Sequence, residues 1–178
     1  IYEFLLVISI FELGIYLFNT SYIPFLYHYS LDYSQIFLIN IFNLIGQTIV
    51  YLILIKYRRS VIGFYYRLAT LLRGSSYFIA FLPVLFLPSI LFQINLIAYF
   101  IAGFSYALWN VASSFIRGKH AANYLGIWTA ALGFSGVIGA FLSGIISLYL
   151  GYELTFIVSI IITLMSSFMF SEKRFHVL

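Results

Sequence analysis

Six apolar runs, each long enough to cross a bilayer as a helix, follow one another along this chain with only short connectors between them. They fall at roughly 4–27, 36–55, 68–87, 90–115, 124–149 and 152–171. One crossing needs about 20 mostly apolar residues. Barrel strands need about half that length and alternate in polarity, whereas these runs do not alternate. The pattern predicts an all-α membrane protein of six transmembrane helices, a single bundle over residues 1–178 with no room for a soluble domain. Composition agrees: only 8% of residues are charged, against about 25% in soluble domains.

Backbone polar groups cannot be left open in hydrocarbon, so the connectors belong at the interfaces. Tyr27-His28-Tyr29-Ser30-Leu31-Asp32-Tyr33-Ser34 separates the first two spans, and Lys56-Tyr57-Arg58-Arg59-Ser60 follows the second. Pro83 and Pro88 bracket the third connector, Arg117-Gly118-Lys119-His120 makes the fourth, and Gly151-Tyr152-Glu153 the fifth. The second and fourth connectors and the tail hold Lys56, Arg58, Arg59, Arg117, Lys119, Lys173 and Arg174. The odd-numbered connectors hold no Lys or Arg and carry Asp32 and Glu153. By the positive-inside bias, both termini are expected in the cytoplasm, with the plasma membrane as the host.

The net charge of +4 consists of scattered loop cations suited to anionic lipid heads, so no nucleic-acid partner is expected. Cysteine is absent, which removes disulfides, thiolate metal sites and cysteine nucleophiles. Neither a histidine–carboxylate cluster nor a phosphate-binding glycine loop occurs. No metal or cofactor is therefore expected.

Ionisable groups inside a span cost on the order of 2.5–3.5 kcal/mol at its centre, so each requires a reason. Glu12 lies mid-way along the first span, and Ser9, Glu12, Tyr16 and Asn19 share its helix face. That face is expected to meet protein or a water-filled cavity, with Glu12 either a solute counter-charge or proton acceptor, or else a protonated or hydrogen-bonded packing residue. Asn40, Asn43 and Gln47 share a face of the second span; they suit interhelical bridging, with Gln47 the best placed to reach a cavity. Tyr106, Trp109 and Asn110 on the fourth span combine ring area with an orienting amide, a pairing that suits a small organic solute. Arg67 is expected to snorkel to the headgroups, and Arg73 to serve a structural role on the cytoplasmic side. On the fifth span Gly133, Gly136, Gly139, Ala140, Ser143 and Gly144, with Ser135, give overlapping small-xxx-small spacings. Two adjacent small faces predict a helix gripped on both sides.

Together these residues resemble the second half of a major facilitator superfamily transporter. Lys56-Tyr57-Arg58-Arg59 sits where that family has an Asp-Arg-x-Gly-Arg-Arg-like loop, although this copy lacks the acid and the glycine. Gly103-Phe104-Ser105-Tyr106-Ala107-Leu108-Trp109-Asn110 is similar to the family's tenth helix, and the glycine-rich 125–156 to its eleventh running into the twelfth. The resemblance implies inverted three-helix repeats, at approximately 1–88 and 89–178, with their first helices lining a central cavity and their third helices peripheral. It implies a cytoplasmic gating role for Lys56, Arg58 and Arg59. It also implies a partner: an N-terminal six-helix half, in keeping with a chain that begins at Ile1 without methionine and is expected to be truncated there.

Gly133-Phe134-Ser135-Gly136 matches the nucleophile motif of rhomboid proteases, yet the sixth span has no histidine to act as base, so no enzyme activity is expected. The function anticipated is alternating-access transport of a small solute, coupled to a proton or other ion. The alternative is a stand-alone six-helix subunit that binds a solute for a separate transport machine.

Overall fold

The computed structural model describes residues 2–56, 62–86 and 88–169, with the side chains at 2, 55, 56, 62 and 116–124 outside that description. The described residues form α1 (Tyr2–His28), α2 (Tyr33–Lys56), α3 (Ile62–Phe86), a 3-10 turn (Pro88–Ile90), α4 (Leu91–Leu150) and α5 (Tyr152–Met169). They supply six helical spans long and apolar enough to cross a membrane, because α4 contributes two, Pro88–Phe115 and Leu125–Leu150.

Local chemistry explains the sharp joint between α1 and α2. Ser30 adopts a positive φ of 64°, and Leu31 N–H reaches back to Leu26 O while Ser30 N–H bonds Tyr27 O. That pair of bonds closes a helix C-terminus, and the apolar residue after the turn packs back on it; Leu31 and Leu26 indeed share one core cluster. Asp32 then starts α2. Its Oδ1 accepts from Gln35 N–H at 2.8 Å, and Gln35 Oε1 accepts from Asp32 N–H at 3.0 Å, a reciprocal capping box. Hydrogen bonds from the Ser34 hydroxyl and the Gln35 amide hold the exposed Asp32 carboxyl below its ordinary pKa. At the other tight joint, Gly151 takes φ 89° between α4 and α5, a conformation suited to glycine.

The fourth connector expected at Arg117–His120 is not a separate loop: α4 is helical from Leu91 to Leu150. Its arms nevertheless run antiparallel. Asn95 in the first arm (residues 91–115) accepts a hydrogen bond from Tyr22, and Ser143 in the second (Leu125–Leu150) bonds Ser21. A straight helix would set Asn95 and Ser143 about 70 Å apart, yet both meet the same turn of α1.

One end of the bundle gathers the odd connectors. Tyr29 Oη donates to Glu153 Oε1 at 3.4 Å, the His28 ring lies 5.7 Å from Tyr152, and Leu91 joins the core cluster of Phe25 and Leu31. At the opposite end Phe4 packs on Tyr66 and Trp128, with Ala112 alongside. Asp32 and Glu153 therefore share the first end, while Lys56 and Arg67 lie toward the second. Arg58, Arg59, Lys173 and Arg174 fall outside the described residues, as do the side chains of Lys56, Arg117 and Lys119.

Two backbone crossings define the packing. Where α2 meets the first arm of α4, a Cβ on Gly46 would run into Phe100 O, and one on Gly103 into Asn43 O. Where α1 meets the second arm, a Cβ on Gly139 would come 2.7 Å from Leu13 O. In addition α1 and α3 each pack on α5, and α3 packs on α4. The third span, expected to be peripheral, is instead well buried: 50% of it lies inside the chain, against 22% for the second and fifth spans. Its Tyr66, Ala69, Thr70, Arg73, Ser76, Tyr77 and Ala80 are all buried.

Among the described residues the fifth span is gripped on one side, where two were expected. Ser135, Gly136, Gly139 and Ser143 are buried, and the last three touch α1. Gly133 and Gly144 face open space and are exposed, and Ala140 is half-buried. Small residues permit close approach, but a partner must be present to use each face. Gly139→Ala is therefore expected to lower the unfolding free energy, measured by titration from mild detergent into SDS, by about 1–3 kcal/mol. Gly144→Ala should stay within about 1 kcal/mol of the parent. Equal losses at both positions would contradict one-sided packing.

Candidate functional site

A cavity of about 710 Å³ lies within the bundle, lined from every helix except α5. Aromatic packing bounds it toward the acidic end. There Phe18 stacks on Tyr77 at 3.8 Å and on Tyr22 at 5.2 Å, and Tyr22 stacks on Tyr99 at 4.4 Å. Tyr22 Oη donates to Asn95 Oδ1 at 2.6 Å, and Asn95 Nδ2 donates to Leu91 O at 2.8 Å, so these buried polar groups are satisfied inside the chain. Toward the other end the Phe4, Tyr66 and Trp128 cluster closes the packing.

The α1 face predicted from spacing does line the cavity: Glu12, Tyr16 and Asn19 are all on its wall, joined by Tyr22. Ser9 is not. Gly136 helps to seat Tyr16, because a Cβ there would come within 3.0 Å of the tyrosine ring. Glu12 is 8% exposed, and no hydrogen bond to its carboxyl is present among the described residues.

From α2 come Asn40, Asn43 and Gln47, so the whole amide row reaches the cavity rather than Gln47 alone. It bridges helices as well: Asn43 Nδ2 donates to Tyr99 O at 3.1 Å, and Gln47 Nε2 donates to Asn43 Oδ1 at 2.6 Å. The glycine crossing at Gly103 brings this row against α4. Asn40 Nδ2 donates to Ile36 O in its own helix.

Arg73 extends the sequence reading most. Beyond the structural role expected of it, it is 6% exposed and lies on the cavity wall. Its Nε donates to Ser105 Oγ at 3.2 Å, and Ser105 Oγ donates onward to Ala69 O at 2.8 Å. The guanidinium carbon sits 5.8 Å from the Tyr77 ring centre and 6.0 Å from that of Tyr106, within cation–π range. The reason is register. Helix α3 starts at Ile62, so Arg73 is eleven residues in, on the buried stripe that runs through Tyr66, Thr70 and Tyr77. The 4-3-4 spacing of that stripe was the signal available in the sequence.

On α4, Tyr106 and Trp109 line the cavity as anticipated, and their rings stack at 6.5 Å. Asn110 does not join them. It donates to Tyr51 Oη at 3.1 Å in a separate shallow hollow with Ser114 and Phe115. The second arm adds Trp128, Thr129, Leu132 and Gly133, of which only Gly133 carried a prior reading, as a packing residue. Ser135 is buried and donates to Ala131 O at 2.8 Å in its own helix, the bonding of a packing serine. Among the described residues no group of three or more His, Cys, Asp or Glu could hold a metal ion.

No protein-family model, curated protein or solved structure matches this chain. The site must be read from its own chemistry. Its fixed element is the Arg73–Ser105–Ala69 relay, since burying a cationic donor without an acceptor costs about 1–3 kcal/mol or more. Ser105→Ala is expected to lower stability in an SDS titration by about that amount. Asn110→Leu, outside the cavity, should lose only about 0.6 kcal/mol, an ordinary interhelical hydrogen bond. A neutral Ser105→Ala would show that Arg73 does not depend on this acceptor.

Proposed function

We propose that this chain is one six-helix bundle of a secondary transporter of the major facilitator type, moving a small solute by alternating access. The observation that carries the reading is the polar cavity itself. It holds an acid and a base in the middle of spans that are otherwise apolar, and such groups in membrane helices mark solute and ion pathways.

The helix pairing supports the same reading. Take α1, α2 and α3 as one unit, and the two arms of α4 with α5 as the other. The α1–second-arm crossing then corresponds to the α2–first-arm crossing, and α1–α5 corresponds to α3–first-arm. The α3–α5 contact corresponds to itself. Helix α1 and the first arm run in opposite senses, the relation an inverted repeat requires. A second six-helix bundle would cover the cavity on the side of α2 and the second arm. Both helices expose apolar residues, including Leu44 and Leu52 on α2 and Phe134, Val137 and Phe141 on the second arm. Sorting of acidic and basic connectors to opposite ends supports cytoplasmic termini, and the transporter reading adds the plasma membrane as host.

In this reading Glu12 carries the coupling proton, and rocking of the bundles exposes the cavity to each side in turn. The test uses the full natural protein in proteoliposomes with an imposed proton gradient and a panel of labelled small solutes. At least one solute should accumulate, and Glu12→Gln should abolish its gradient-driven accumulation. Undiminished accumulation in Glu12→Gln would remove proton coupling through this residue. No flux of any solute through folded protein would remove the transport reading.

A further inference from the structure

The charges on the cavity wall are arranged in an unusual way for a buried acid and base. Glu12 projects from α1 and Arg73 from α3, both are more than nine-tenths buried, and both reach the same cavity. The charge of Arg73 acts on Glu12, yet neither an ion pair nor a hydrogen bond joins them among the described residues. Arg73 is held apart by other partners: Ser105 takes its Nε, and the Tyr77 and Tyr106 rings flank the guanidinium.

Separated opposite charges in a low-dielectric site form a fixed dipole. A solute with a single charge is attracted by one group and repelled by the other, so it gains little from this pair. A solute with both an ammonium and a carboxylate can align with it and answer each charge at once. Beside the charges the cavity wall includes Tyr106, Trp109 and Trp128, aromatic side chains that offer apolar contact to a flat ring. The amides of α2 satisfy further polar groups.

We infer that the cavity binds a zwitterionic solute of the amino-acid class with a flat apolar body, its ammonium toward Glu12 and its carboxylate toward Arg73. This inference rests on the cavity being the solute site of the transporter reading.

Three tritiated probes share one ring system and differ in charge: L-tryptophan, tryptamine without the carboxylate, and indole-3-propionate without the ammonium. Equilibrium binding is measured on the full natural protein in nanodiscs. L-Tryptophan should bind at least about ten-fold more tightly than either analogue, the effect of one well-placed polar contact. Glu12→Gln should weaken L-tryptophan to the level of indole-3-propionate without weakening indole-3-propionate itself. Arg73→Lys keeps the charge and should retain part of the preference over tryptamine; Arg73→Gln should erase it. Both are checked for a folded, monodisperse protein, and the Glu12 series decides the matter if Arg73→Gln does not fold.

Equal binding of all three probes to the parent, an equal loss of all three in Glu12→Gln, or no binding of any at millimolar concentration would overturn the inference. The two readings fail separately. Transport of singly charged solutes without zwitterion preference would leave the transporter and remove this specificity. Selective zwitterion binding with no flux would do the reverse.

Discussion

A guanidinium more than nine-tenths buried in an apolar bundle needs polar or aromatic partners from the chain around it, because burying a charge unpaired is costly. Arg73 finds them by taking Ser105 as acceptor and two tyrosine rings as flanking faces. Much of the architecture follows from that need. Ser105 is fully buried and ties the first arm of α4 to Ala69 of α3. Tyr77 is at once a face for the cation and the stacking partner of Phe18. The aromatic packing that bounds the cavity is thus continuous with the group that gives the cavity its positive charge.

Helix crossings supply the second condition. Close packing and interhelical hydrogen bonds are what hold apolar helices of this kind together where hydrophobic force between them is small. Gly46, Gly103 and Gly139 let backbones approach at two places, α2 with the first arm and α1 with the second. Each crossing also serves the cavity. Gly103 brings the Asn43–Gln47 row against α4, and the neighbouring Gly136 seats Tyr16. Hydroxyls reinforce α1: Ser143 Oγ donates to Leu17 O at 2.7 Å, and Ser159 Oγ donates to Gly14 O at 2.8 Å. Helix α5 lies behind the site and holds α1 and α3 in place through such contacts.

Hydropathy alone revealed six helices long and apolar enough to cross a membrane, because each run has about the length a crossing needs and is bounded by polar or breaker residues. The Glu12–Tyr16–Asn19 face was also legible, since helical spacing shows which residues share a face. Three features were not. Arg73 was not, because a long cationic side chain early in a helix can reach the headgroups, whereas α3 carries it on the buried stripe through Tyr66, Thr70 and Tyr77. Asn110 stands one turn from Tyr106, but four residues advance a helix about 40° beyond a full turn, enough to aim it at Tyr51 instead. The second arm has two small-residue faces, and spacing cannot say which one has a neighbour. A short basic segment such as Arg117–His120 likewise does not by itself end a helix.

A solute site in this bundle requires that water reach the cavity whose wall holds Glu12 and Arg73. The chain has no cysteine, so single cysteines report accessibility without background. Cysteine at Tyr16, Asn19 or Gln47 should react with a charged, membrane-impermeant thiol reagent, whereas cysteine at the buried Ala98 or Ile160 should resist it. Resistance at all three cavity positions, or equal reaction at Ala98, would contradict the account.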